Sequence, residues 1–466
     1  MSGITLHEPA AYRMAVRDAL GDGWRFAGLH ATDAVVRALL VDGAGHTRLE
    51  CAPVVTGGMP TIVDLAPAAG WDEREAHDQY GVVFTGHRPL RPFLDHSASL
   101  EAWTTPVAGD DVYQVAVGPI HAGVIESGHF RFHLVGDAIL HLDVRPMYKH
   151  RGLERAAQGL PLDDALAVVG RACAACSVAN TVAYAQAVES ARGLTASAPV
   201  ARVRTILLEM ERAWNILNDI SAVCAGVGLA AGTNRFLALT EDVRRLNALV
   251  SGHRFLFGTV SVGGSSLAVN AHTVAQVRDG LARIREESVR AWRQILFNGS
   301  FIDRLDGVGI VRTDDARTLG VVGSAARASG VGEDVRTVSP GLAYRGFQPA
   351  VLRRCGGDVR ARLEQKALEL LPCLDVLDEL LAGPLVAAQA VADGSGRAIG
   401  VGRVESPRGA TTCVVEAAGD RVSRLRLRTA SYANWPAVAH AAVGNLLPDF
   451  PLINKSFELC FACVDR

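Results

Sequence analysis

Two C-x-x-C pairs stand far apart in this chain: Cys173 with Cys176, and Cys460 with Cys463. If both serve one site, the fold must bring residue 460 back to residue 176 across 284 positions. Most of the protein then becomes a loop closed by that site. One such pair is compatible with a redox disulfide, half a zinc site or half of another metal site. Two matched pairs point more strongly to a shared metal. Four thiolates suit tetrahedral zinc, an iron–sulfur cluster or a nickel centre, since soft sulfur donors favour late transition metals. Zinc sites of this kind usually form within a short loop.

The other cysteines, Cys51, Cys224, Cys355, Cys373 and Cys413, have no motif around them and read as buried apolar side chains. Nine cysteines, an odd number, behind a start that lacks a secretory pattern read as reduced cytoplasmic thiols. The formal charge of −2 gives no electrostatic footprint for nucleic acid or an anionic membrane. No apolar run reaches the length of a membrane span, so membrane association has to come through partners. Of 47 basic residues only Lys149, Lys366 and Lys455 are lysines.

The chain reads as α+β. Residues 1–95 form a small α/β domain: a helical period in EPAAYRMAVRDAL, strand-like WRFAGLH, AVVRALLVDG and HTRLECAPVV, then a short helix in WDEREAHDQYGVVF. Residues 96–111 are polar and irregular, and read as a linker. Residues 112–466 form a mainly helical domain with a small peripheral sheet. Val203, Leu207, Met210, Trp214, Leu217 and Ile220 share one helical stripe. Segments 241–254, 271–297 and 358–392 are similar, 396–430 alternates like strands, and a last helix covers about 434–446 before the second thiol pair.

Five further segments fall in order: EREAHDQYGVVFTGHRPLRPFLD at 73–95, GPIHAGVIESGHFRF at 118–132, MYKHRGLE at 147–154, ARASGVGEDVR at 326–336 and ESPRG at 405–409. With the two thiol pairs, their order resembles the large subunit of energy-converting nickel–iron hydrogenases of the formate hydrogenlyase type. It is also similar to the related catalytic subunits of NADH:quinone oxidoreductase, with the smaller complex I subunit fused at the N-terminus. The resemblance implies a hydrogenase-large-subunit fold and interconversion of dihydrogen with protons and electrons. It makes Cys173 and Cys460 terminal nickel ligands, and Cys176 and Cys463 bridges to an iron that carries carbonyl and cyanide. It implies an iron–sulfur small subunit and membrane subunits as partners, on the cytoplasmic face of the cell membrane. Family precursors are often trimmed just after the last pair, so the sequence reads as a mature form or as a member without a removable extension.

The same resemblance assigns further residues. Glu126 is the first proton acceptor, because heterolytic cleavage of dihydrogen needs a base beside the metal; its ordinary alternative is a helix cap or an exposed carboxylate. His129 belongs to the same relay or to the scaffold. Arg408 is a fixed cation over the open nickel position, or a buried salt bridge to Asp334. Glu154 is a magnesium ligand, or pairs with Arg466, which stands where the family has a histidine. Asp334 and Arg336 line a proton or quinone cavity. His77, His87 and Arg91 read as docking or scaffold residues, and Gly330 as the pivot of a tight turn. The family usually shows C-G-x-C with a histidine four positions after the second cysteine. Here Ala174 and Asn180 occupy those places. An amide bonds a thiolate but does not titrate. Two other readings stay open: a metal-free subunit of a quinone-reducing respiratory complex, and a zinc-stabilised scaffold.

Overall fold

The computed structural model describes residues 3–121, 126–265, 267, 269–338, 341–385, 389, 391–392 and 396–466. Residues 122–125 of GPIHAGVIESGHFRF, and part of the 358–392 segment, lie outside the described residues.

The first unit holds β1 (Gly3–Leu6), α1 (Pro9–Gly21), β2 (Arg25–Ala31), β3 (Val35–Val41) and β4 (Thr47–Pro53). The sheet order is β1-β4-β3-β2, with β1 parallel to β4 and the other pairs antiparallel. Pro9 opens α1, where a missing N–H costs no intrahelical bond, and Tyr12, Val16 and Ala19 form its buried face. The second helix, α2 (Gly70–Tyr80), is unusual in that its buried side is acidic: Asp72, Glu73 and Glu75. Glu73 accepts the Ile62 N–H at 2.8 Å and the Thr61 hydroxyl at 2.7 Å. The cationic partners of Asp72 and Glu75 come from the far end of the chain.

An antiparallel sheet of β5 (Tyr113–Val117), β6 (His129–Val135) and β7 (Ala138–Arg145) follows. The helical body is α3 (Ser177–Arg192), α4 (Ala198–Gly226), α5 (Ala230–Ser251), α6 (Ala271–Leu296) and α7 (Val359–Leu381). Helix α4 packs on α5 and α7. Its predicted stripe is buried throughout, and so are its polar residues Arg204, Glu209, Glu211, Arg212, Asn215 and Asp219. The last sheet is the antiparallel β8 (Ile399–Ser406), β9 (Gly409–Ala418) and β10 (Arg421–Arg428). Then come α8 (Ala430–Ala442), α9 (Phe450–Phe457) and the single turn α10 (Phe461–Val464). Helix α8 starts earlier than its periodicity predicts because the Thr429 side chain caps it, accepting the Tyr432 N–H at 3.3 Å. It stops at Ala442 because Leu446 pairs with Ala138 of β7. Among the described residues no helix is long and apolar enough to cross a membrane.

Helix α3 lies directly on β8, and the contact is backbone to backbone. A Cβ at Gly402 would collide with the Ala183 carbonyl, and one at Gly400 with that of Ala187. Alanine on the helix and glycine on the strand are the residue types that allow this approach. We expect Gly402→Ala to cost roughly 1–3 kcal/mol, the usual range for overpacking a closed contact. Urea denaturation measures it; an unchanged midpoint would show that α3 and β8 are free to separate.

Candidate metal centre

Each thiol pair sits where a chain segment enters a helix. Cys173 is extended, a single 3₁₀ turn covers Ala174–Cys176, and α3 begins at Ser177. Cys460 precedes α10, which carries Cys463. The first residue of each pair is therefore outside the helix and the second at or inside its first turn, so both sulfurs of a pair face one side. The two sides face each other: the four sulfurs lie within 4.8 Å of one another. Cys176 Sγ and Cys460 Sγ are 3.9 Å apart. Cys173, Cys176 and Cys463 are buried and Cys460 is half-buried. Hydrogen bonds from Cys173, Cys176 and Cys463, and then the Arg408 charge, pull the Cys460 thiol well below the usual range. Cys176 is pushed up by its hydrogen bonds to the other thiols.

Arg151, in the HRGLE segment, ties the two halves together. Its guanidinium donates to the Arg171 carbonyl at 3.0 Å and to the Ala172 and Ala462 carbonyls at 2.6 Å each. Its own N–H reaches the Asp465 carbonyl at 2.9 Å. From the other side, the Cys460 N–H donates to Ser431 Oγ at 3.0 Å, and Thr429 Oγ1 to the Cys463 carbonyl at 3.1 Å. Ser431 and Thr429 stand at the start of α8.

A half-open cavity of about 510 Å³ ends at Cys173 and Cys460. Phe130, Phe132, Phe450 and Phe461 supply much of its apolar wall, and Glu126, Arg408, Asn218, Lys455 and Glu458 its polar groups. Arg408 enters from the β8–β9 turn, fixed by Asp219 of α4: Nη1 to Oδ2 is 2.8 Å. Lys366 of α7 reaches the same oxygen, also at 2.8 Å. Arg408 therefore pairs with Asp219, not Asp334 as the sequence allowed. Its Nε is buried and without a hydrogen-bond partner among the described residues. Burial first, then the Asp219 charge, push the Glu458 carboxyl up to about 7. Asn180 lies one turn along α3 from Cys176, on the same face. It is fully buried, and both its amide atoms lack a partner among the described residues. Four soft donors with unsatisfied polar atoms around them fit a thiolate-bound metal centre.

The remaining predicted site residues fall elsewhere. Glu126 lines the cavity with Cys173 and Cys460. His129 does not line it; its ring meets Trp103 edge-on at 5.2 Å, and burial, then the charges of Arg131 and Arg145, lower its pKa to about 4. Asp334 and Arg336 are not on the cavity wall either. They pair with each other at 2.7 Å inside a closed network, where Arg327 bonds Glu369 at 2.7 Å and Glu405 at 3.0 Å. All five of these side chains, three carboxylates and two guanidiniums, are buried and paired with one another. Glu154 does not fit a magnesium ion. One oxygen takes Arg466 Nε at 2.7 Å and the Leu427 N–H at 2.9 Å, so a guanidinium already stands where the cation would have to bind.

His87 pairs with Glu73 at 2.8 Å, His77 faces the Val82 carbonyl at 2.9 Å, and Arg91 approaches Asp143 of β7 at 3.6 Å. All three are half-buried and make contacts within the chain. Gly330 has φ of 85°, as a tight turn requires. Sequence reading missed Arg151, Asp219, Lys366 and Glu458. A signal existed for Lys366, a rare lysine in an arginine-rich chain. Asp219 gave none, since it stands off the apolar stripe of α4.

A family model described as "Respiratory-chain NADH dehydrogenase, 49 Kd subunit" matches residues 227–395 and 395–466. The chain belongs to this 49 Kd subunit family. Residues 28–107 match the model of the respiratory-chain 30 Kd subunit, so the chain joins both in one polypeptide. The 49 Kd match takes in Arg408, Cys460 and Cys463. Formate hydrogenlyase subunit 5 of Escherichia coli (strain K12) is 29% identical over 87% of this chain and 77% of its own length. Hydrogenase-4 component G of the same strain is 27% identical over 93% and 81%. The fold matches a chain in the structure of the membrane-bound sulfane sulfur reductase, an archaeal respiratory membrane complex. The TM-score is 0.70 at 24% identity, over 78% of this chain and all of that one. This 49 Kd family member is thus related to hydrogenase subunits along most of its length.

Proposed function

We propose that the chain is the large subunit of an energy-converting nickel–iron hydrogenase. One observation carries the reading: two thiol pairs from opposite ends of the sequence meet within 4.8 Å, at the floor of a cavity that also holds Glu126 and Arg408. Cys173, Cys176, Cys460 and Cys463 would hold the metals. When bound, a nickel–iron centre with carbonyl and cyanide on iron supplies reversible two-electron chemistry on dihydrogen. The protein's part is positional. Arg151 sets the spacing of the two pairs. Asp219, itself paired with Lys366, holds Arg408 so that its charge faces the sulfurs. The phenylalanine walls exclude water, and the Glu126 carboxylate takes the proton. The names of the hydrogenase relatives agree with an oxidoreductase. An iron–sulfur subunit would receive the electrons, and membrane subunits would anchor the assembly at the inner face. We read 1–95 and 112–466 as its two domains, joined by 96–111.

A second reading is a metal-free subunit of quinone-reducing type. The size of the cavity favours it, since about 510 Å³ far exceeds what dihydrogen needs. Elemental analysis of protein purified from its native host separates the readings. Nickel and iron, each near one per chain, are expected; zinc alone would mark a scaffold, and no metal would favour the quinone-type reading.

A further inference from the structure

We propose that Glu75, in the N-terminal unit, holds the second thiol pair in place through Arg466, so that docking of that unit and closure of the four-thiol site are one event. The inference needs only the geometry, and it stands whichever metal the thiols hold.

Arg466 follows Cys463 by three positions, yet its side chain is 1% exposed. Its Nη2 lies 2.9 and 3.0 Å from the two Glu75 oxygens, and its Nε 2.7 Å from Glu154. The guanidinium stacks over Tyr432, 4.6 Å from the ring centre. Glu75 also takes Arg426 of β10 at 2.7 Å. Asp72, one turn before Glu75, pairs with Arg426 at 3.0 Å and Arg428 at 3.1 Å. Three carboxylates, Asp72, Glu75 and Glu154, thus face three guanidiniums, Arg426, Arg428 and Arg466, in a buried and balanced group.

The balance is what couples the two parts. If residues 458–466 swing away, Arg466 leaves with them, and the group keeps three anions for two cations. Glu154 would then have the Leu427 N–H and Arg426, which stays 3.7 Å away. An uncompensated buried charge is strongly unfavourable, so the open segment and the docked N-terminal unit oppose each other. The relation runs both ways, because coupling between two sites is reciprocal. Glu75 and Arg466 are positioning residues in this scheme, since neither touches the sulfurs.

Amide hydrogen exchange on the full-length protein tests it, read at residues 458–466, at α2 and at α4 as the control. Glu75→Gln is expected to speed exchange of 458–466 at least tenfold while α4 stays unchanged. Arg466→Met removes the far half of the pair together with the Arg466–Glu154 bond, and it should speed exchange of α2 as well as of 458–466. The double variant should be no faster than the faster single one, because each substitution breaks the same link. An unchanged α2 in Arg466→Met would overturn the proposal, and so would multiplied effects in the double variant. If Glu75→Gln loosens α4 too, Arg466→Met decides alone, since it leaves the Glu75–Arg426 pair intact.

Discussion

A Cys460→Ser chain is expected to fold and to lose its metal. Cys460 stands at the meeting point of the cluster, 3.9 Å from Cys176 Sγ, and it is the thiol that its neighbours and Arg408 drive toward the thiolate. A serine hydroxyl is nearly isosteric but is a hard, neutral donor, poorly suited to a soft late metal. The fold should survive because the local contacts are made by the backbone: the Cys460 N–H to Ser431 Oγ, and Arg151 to the Ala462 carbonyl. We expect nickel and iron to fall below a tenth of the parent content while the unfolding midpoint of the metal-free protein stays within a degree or two, roughly the shift of a small surface change. Full metal content in the variant would remove Cys460 from the ligand set.

Glu126→Gln is expected to behave in the opposite way, with metal retained and turnover lost. The carboxylate lines the cavity beside Cys173 and Cys460, and its charge contributes to raising the Asp465 carboxyl, after burial, to about 6. An amide keeps the size and removes the titratable proton site. Dihydrogen–deuterium exchange should drop by about 10²–10⁴-fold, the usual worth of a positioned acid or base. Equal exchange in parent and variant, at equal metal content, would show that the proton leaves by another group. The paired outcomes matter more than either one, because a general loss of structure would lower metal and turnover together in both variants.

The convergence of the thiol pairs was legible in the sequence because it rests on two local signals, spacing and order, that need no knowledge of the intervening path. The apolar stripe of α4 was legible for the same reason, as a period of 3.6 is a local property. Its opposite face was not. Arg204, Glu209, Arg212 and Asp219 look like a solvated surface, and only the arrival of distant partners such as Arg336 and Lys366 shows that they are buried. The buried pairing of Asp334 with Arg336 was not legible, because a charged motif between helices gives no hint of where its counter-ions stand. Pairing of Arg466 with Glu154 could be foreseen from the missing histidine. The contribution of Glu75 could not, since nothing in the first hundred residues announces a role at the other end of the chain.

The wide separation of the thiol pairs also sets a clock. A ribosome adds roughly 5–20 residues per second, so the 284 positions between Cys176 and Cys460 correspond to about 15–60 s of synthesis at that rate. During that interval the nascent chain displays two of the cluster's four sulfurs and never all four. A free cation meeting it then finds half the ligands it needs, and is held far more weakly than in the completed site. If the four thiols hold a metal, residue order thereby works as a guard against premature capture of whichever ion is most abundant, and reserves loading for a polypeptide whose helical body has already been made.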